Sequence, residues 1–310
     1  MKRARCCRHF FAHTMNACTR CSVSIMTGIS AAPTLVDENI ESRWMAGARL
    51  IYGVTLGRLQ AKARPAFLII GAQKAGSTAL FSYLEKHQQI IPPQVKEVQF
   101  FDHRYAFGSR WYATHFPSQR ALENDKITFE ATPNYLYYPA CAERIFTYDP
   151  AIKLIAALRN PIDRAYSNWN WRGGLGWHNF GYDSFDAMVR GEIDVIAKQG
   201  TGYPGNLAPK YLQRGLYADQ LERYFALFPR EQIMVIESAA LRREPVETLN
   251  AVTRWLGLRD HDWSRETLDP ANESGNRTPM NPETRALLAS FYRPHNERLY
   301  RLLGVEYGWG

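Results

Sequence analysis

One stretch near the start of the regular part of the chain limits the fold more than any other. Residues 66–70 form a short apolar run between Pro65 and Gly71, and from Ser77 to His87 the residues Leu80, Phe81 and Leu84 recur at helical spacing. Strand, glycine loop, helix is the order that aims loop N–H groups and a helix N-terminus at one anion. The loop, Gly71-Ala-Gln-Lys-Ala-Gly-Ser-Thr78, keeps the spacing G-x-x-x-x-G-K-[ST] of a phosphate loop. It departs at one position: Ser77 stands where the lysine belongs, and the loop's lysine, Lys74, comes three residues earlier. In a nucleotide triphosphatase that lysine reaches the β- and γ-phosphates, and an acid after a second strand helps to hold Mg²⁺. A relocated lysine points to a nucleotide whose reactive group is not a γ-phosphate. The competing reading is a glycine turn that binds nothing.

Further apolar runs at 126–130, 153–158 and 232–237 alternate with helical patterns at 139–148, 162–171, 217–228, 245–256 and 282–303. Such alternation predicts an α/β fold, a single phosphate-loop-like domain with a central parallel sheet and helices on both faces. The domain is expected over 61–310, after a poorly structured basic leader and an amphipathic helix within 1–60. Residues 173–205 show few periodic apolar positions and read as a long, substrate-facing loop.

With 45% hydrophobic and 22% charged residues among 310, collagen, coiled-coil and wholly disordered classes are excluded. A formal charge of +8 favours an anionic ligand without choosing among nucleotide, nucleic acid, acidic glycan and membrane surface. Four of the five cysteines (Cys6, Cys7, Cys18, Cys21) fall in the leader and only Cys141 in the body, which excludes a disulfide-stapled core. The leader cysteines with His9 and His13 match no standard zinc-finger spacing, so no metal is expected. No signal peptide and no run of about 18 apolar residues stands out, and a cytoplasmic protein is the expectation. Residues 40–59, with Arg43, Arg49 and Arg58 among their apolar positions, either pack on the domain or touch an acidic membrane peripherally.

Two more segments carry chemistry. Lys96-Glu97-Val98-Gln99-Phe100-Phe101-Asp102 sets a cation and a carboxylate before a buried pair of rings, and Leu158-Arg159-Asn160-Pro161-Ile162-Asp163-Arg164-Ala165-Tyr166-Ser167 runs from a strand end into a helix opened by Pro161. Arg159 thus falls where ligands gather in open α/β sheets. Together with Gln73-Lys74-Ala75-Gly76-Ser77-Thr78, in this order, the segments resemble the sulfotransferases that use 3′-phosphoadenosine 5′-phosphosulfate (PAPS), and among them the heparan sulfate N- and 3-O-sulfotransferase domains. The resemblance covers about residue 65 to the C-terminus. It implies a 5′-phosphosulfate loop at 73–78, a 3′-phosphate site at Arg159 and Ser167, and a nucleotide-closing loop at Gly275, Asn276, Arg277 and Thr278. That loop departs from the pattern, because the family's preceding lysine and nearby disulfide are both absent. Gly215-Leu216-Tyr217 is also similar, which places Tyr217 near the purine or in the core.

Each residue type suits sulfuryl transfer, in which the protein chiefly positions the partners and neutralises charge. Lys74 contacts the bridging oxygen of the leaving nucleotide; Glu97 is the general base for a hydroxyl or ammonium acceptor; Lys96 tunes that carboxylate or meets the sulfonate. Without the resemblance, the residues alone favour reading Lys96 and Glu97 as a solvated charged pair before a buried Phe pair. The alternative enzyme is an ATP-dependent kinase or triphosphatase with Glu130 or Glu237 on the metal side, and the alternative without catalysis is a binder of nucleic acid or acidic glycan. Scattered rather than clustered charge argues against nucleic acid. Carbohydrate is the expected acceptor, with Trp169, Trp171 and Trp177 available to stack on a sugar, although Trp171 stands where the N-sulfotransferases carry a histidine.

Overall fold

Along β1 (Phe67–Gly71) successive side chains enter opposite layers: Phe67 and Ile69 pack into one buried cluster, Leu68 and Ile70 into another. The strand β4 (Lys153–Leu158) does the same, with Leu154, Ala156 and Leu158 on one side and Ile155 and Ala157 on the other. Strands apolar on both faces must be covered on both, and two layers of helices cover them. A computed structural model describes residues 61–174, 181–203, 210–269 and 278–309, all within one compact unit. The leader with its cysteines, residues 40–59, Trp177, and Gly275, Asn276 and Arg277 lie outside the described residues.

Helix α1 (Ser77–Leu84) follows β1, and the two-residue strand β2 (Ile90–Ile91) and short helix α2 (Gly108–Ala113) come next. Strand β3 (Ile127–Ala131), helix α3 (Ala140–Tyr148) and β4 lead to α4 (Pro161–Gly174), α5 (Phe185–Gln199) and α6 (Tyr217–Phe225). Strand β5 (Ile233–Glu237) precedes α7 (Ser238–Arg243), α8 (Pro245–Leu256) and α9 (Pro282–Leu303). Among the described residues the five strands form one sheet in the order β2-β3-β1-β4-β5, every pairing parallel. Helices α3 and α6 fill one layer through Cys141, Ile145, Tyr217, Leu221 and Tyr224, and α1 and α8 fill the other through Leu80, Leu84, Leu249 and Val252. Each such side chain, fully buried, contributes about 1.5–3 kcal/mol from transfer out of water. Within the described residues no helix is long and apolar enough to cross a membrane.

One expectation is overturned. The predicted loop at 173–205 contains α5, capped by Ser184 Oγ, which accepts the Ala187 N–H at 3.1 Å, and ended by Gly200 at φ 80°. Phe185, Met188, Val189 and Ile196 pack with Ile162 and Ala165 of α4 and with Leu288 and Tyr292 of α9. The position that should complete this stripe is Glu192, buried to 3% exposure, and its charge type hid the helical period. Glu192 Oε2 accepts the Leu212 N–H at 2.8 Å, so the carboxylate tethers the chain entering α6.

Burial outweighs that hydrogen bond and the nearby Arg164, raising the Glu192 pKa from 4.5 to about 7. A carboxylate raised on folding contributes stability below its unfolded value and loses it as pH rises through the folded value. Wild type relative to Glu192→Gln should therefore be most stable near pH 4.5 and lose ground as pH rises through about 7. Urea midpoints of the two proteins across that range measure it, and a constant difference would show that Glu192 stays ionised.

Candidate active site

The winding places three segments side by side. From β1 the chain goes to β2 and β3 on one side of the sheet, then crosses to β4 and β5 on the other, so the direction reverses at β1. The carboxyl ends of β1, β3 and β4 are consequently neighbours; candidate segments leave β1 and β4, and the third, which follows β2, is tied to the exit of β3. The β1 and β3 exits meet at Gly71, where Leu136 N–H donates to Ile70 O at 2.8 Å and an added Cβ would lie 2.6 Å from Leu136 Cβ. Only glycine fits that approach.

The loop after β1 turns tightly. Ala75 N–H donates to Ala72 O at 3.1 Å, Lys74 sits at φ 67°, and Gly76 at φ 94° takes the N-cap place of α1. Gly76 has no side chain, so the first N–H groups of α1 are not capped from within the helix. Ala75 and Ser77 are buried beneath the loop, while Gln73, Lys74, Gly76 and Thr78 are partly exposed. Lys74 Nζ lies 5.1 Å from the ring centre of Trp171, a cation–π contact that joins the loop to α4. Trp171 is 41% exposed, whereas Trp169 packs edge-on against Phe185 and Tyr211 and belongs to the core, not to a sugar platform.

After β4, Arg159 reaches back: its Nη1 donates to Lys74 O at 3.2 Å. Asn160 Oδ1 accepts the Ile162 N–H at 2.9 Å and starts α4, on which Ser167 is buried. Tyr217, expected beside the purine or in the core, is a core residue at 1% exposure, and its hydroxyl donates to Arg159 O at 2.9 Å. It holds Arg159 from below. Of the predicted closing loop, Thr278 is described; its carbonyl accepts the Tyr166 hydroxyl of α4 at 2.6 Å.

The Lys96–Glu97 segment follows β2. Lys96 Nζ donates to Glu97 Oε1 at 2.6 Å, and both side chains are partly exposed. Glu97 and Gln99 adopt φ of 62° and 56°, a left-handed conformation that costs non-glycine residues roughly 1–2 kcal/mol each. The Gln99 N–H is anchored to Thr132 Oγ1 at 3.2 Å, at the exit of β3. The two acids considered for the metal side of a kinase are otherwise engaged. Glu130 is fully buried against the Tyr112 and Thr132 hydroxyls, and Glu237 Oε1 accepts Trp309 Nε1–H at 2.9 Å.

The structure adds a cluster that sequence reasoning missed. Tyr203 lies 5.3 Å from Tyr137 and 5.5 Å from Tyr138, whose ring is 5.0 Å from His103, one residue past the Lys96–Asp102 segment. Lys210 Nζ is 4.7 Å over the Tyr203 ring, and Arg214 Cζ is 4.4 Å over Tyr137, with its Nη1 donating to Asn134 Oδ1 at 2.9 Å. Burial, helped by the charge of Arg214, pushes Lys210 down to about 8. These residues come from three distant segments, so no spacing could signal them.

A family model described as a sulfotransferase domain matches residues 64–275. The chain is 33% identical to a mouse bifunctional heparan sulfate N-deacetylase/N-sulfotransferase 4 over 77% of its own length, and 28% identical to the membrane-associated sulfotransferase kil1 of Dictyostelium discoideum over 79%. These matches span 30% and 66% of those proteins. A sulfotransferase crystal structure from Alicyclobacillus acidocaldarius superposes with a TM-score of 0.64 at 27% identity, covering 80% of this chain and 99% of the other.

Replacing Tyr217 by Phe removes the donor to a partly buried carbonyl while keeping the ring. The expected loss is about 1–3 kcal/mol of unfolding free energy, read from the urea midpoint. An unmoved midpoint would mean that the hydroxyl does not hold Arg159.

Proposed function

The chain belongs to the sulfotransferase-domain family, and from that premise we propose that it transfers a sulfuryl group from PAPS to a hydroxyl or amine of a carbohydrate acceptor. The observation that carries this reading is the bond from Arg159 Nη1 to Lys74 O. It couples the loop suited to a 5′-phosphosulfate to the segment suited to a 3′-phosphate, and the 3′-phosphate is what separates PAPS from ATP.

The residues fit such a donor. The uncapped N-terminus of α1 and the N–H groups of residues 73–78 would hold the 5′ end, and Arg159 with Ser167 the 3′-phosphate. PAPS supplies an activated sulfuryl group; the chain supplies positioning, charge and a base. Lys74 neutralises charge growing on the bridging oxygen as the bond to sulfur breaks, and Trp171 limits where its ammonium can go. Glu97 takes the acceptor proton as the oxygen or nitrogen attacks, and Lys96 at 2.6 Å fixes its carboxylate while adding positive charge for the sulfonate. Residues 275–278 would close over the nucleotide, with Arg277 on a phosphate.

For the acceptor, relatives named for heparan sulfate support a glycan. The partly exposed rings of Tyr138 and Tyr203 offer stacking surfaces, and Lys210 and Arg214 suit an acidic substituent on the sugar.

Calorimetry should show 3′-phosphoadenosine 5′-phosphate binding far more tightly than 5′-AMP, since each charged hydrogen bond to the 3′-phosphate is worth about 1.5–3 kcal/mol. Equal affinities would remove Arg159 and Ser167 from that role. Glu97→Gln should lower turnover by about 10²- to 10⁴-fold with nucleotide affinity nearly constant. Lys74→Ala should lower both, because its charge meets the donor in the ground state and the leaving group in the transition state. Near-normal turnover of Glu97→Gln at saturating acceptor would return Lys96 and Glu97 to a solvated pair.

A further inference from the structure

Glu130 lies in β3 with no exposure to solvent, and the transfer chemistry above does not use it. Its Oε2 accepts the Tyr112 hydroxyl at 3.2 Å and its Oε1 the Thr132 hydroxyl. Burial outweighs these bonds and raises its pKa from 4.5 to about 7. A buried carboxylate is costly, and an apolar residue of similar size would stabilise the sheet better. Its role is therefore sought in what its hydroxyl partners do.

Thr132 and Tyr112 each have a second partner, and both partners lie on the loop that carries Glu97. Thr132 Oγ1 accepts the Gln99 N–H at 3.2 Å, and the Tyr135 oxygen accepts the Phe100 N–H at 2.8 Å. The Tyr112 ring stacks on Phe100 at 4.4 Å with an interplanar angle of 10°. A hydroxyl owns one proton; by giving it to Glu130, Thr132 keeps a lone pair turned to the Gln99 N–H. Gln99, itself anchored, and Glu97, two residues before it, are the left-handed residues of this loop, and such a backbone persists only where its surroundings over-determine it.

We propose that Glu130 is a positioning residue: acting through the Thr132 hydroxyl and through Tyr112, it fixes the backbone at Gln99 and the seat of Phe100 and so the direction in which Glu97 meets the acceptor. This deepens the reading of Glu97 as the base and rests on it.

The test compares Glu130→Gln and Thr132→Val with the conservative Thr132→Ser. Amide hydrogen exchange at Gln99 and Phe100 reads the anchoring directly, calorimetry with 3′-phosphoadenosine 5′-phosphate reads the nucleotide site, and turnover at saturating acceptor reads the base. In Glu130→Gln and Thr132→Val, exchange at the two amides should rise about tenfold or more while the amides of β1 and β4 keep their protection. Turnover should fall about tenfold with nucleotide affinity within about twofold, and Thr132→Ser should keep both properties close to wild type. Unchanged exchange at Gln99 and Phe100 in both variants overturns the proposal. So does faster exchange with unchanged turnover, or a parallel loss of nucleotide affinity, which would mark general loosening. A wild-type chain that transfers no sulfuryl group defeats the reading of Glu97, and the anchoring by Glu130 then stands or falls on the exchange at those two amides.

Discussion

At Gly71 the chain leaving β3 passes so close to the end of β1 that an added Cβ would sit 2.6 Å from Leu136 Cβ. The contact brings the exit of β3, with Thr132, Asn134 and Tyr135, against the start of the phosphate loop. From the other side β4 pairs with β1, and Ala72 N–H donates to Ala157 O at 2.7 Å just before Arg159. Three segments that share no local sequence relation therefore meet at one edge. The parallel pairing of β1 with both neighbours is what gives Lys74, Arg159 and the anchors of the Glu97 loop a common site.

Polar groups buried around this edge serve geometry more than stability. Glu192 holds the Leu212 N–H ahead of α6, Tyr217 at the start of α6 holds Arg159 O, and Arg159 holds Lys74 O. The chain of contacts runs from the packed α4, α5 and α9 layer to the phosphate loop. Glu130 plays the corresponding part beneath Gln99 and Phe100 through Thr132 and Tyr112. In both places a costly buried carboxylate orients donors that apolar packing alone would leave undirected.

What was legible in the sequence followed from local rules. The apolar run and helix around residues 66–87, the strand Lys153–Leu158 and the helices Pro245–Leu256 and Pro282–Leu303 are written in periodicity and in proline and glycine stops. Helix α5 was not legible, because Glu192 occupies a core position, and β2 is too short, at two residues, to show a period. From its neighbours Gly215 and Leu216, Tyr217 read equally as a purine contact or a core aromatic, and its place in the core depends on α6 packing against the sheet.

The sequence by itself determined the strand–loop–helix unit, the relocation of the loop lysine to position 74, the order of the three motifs and hence the family, because each is a matter of residue type at short range. Only the tertiary structure decided which atoms meet. That Arg159 reaches Lys74 O, that Trp171 lies under Lys74, that Tyr203, Lys210 and Arg214 converge on Tyr137, and that Glu130 underlies the Glu97 loop all depend on strand order and close packing. Hydrogen bonds and ring contacts act within a few ångströms, whereas the residues that make them are up to 97 positions apart along the chain, and nothing in local periodicity encodes that closure.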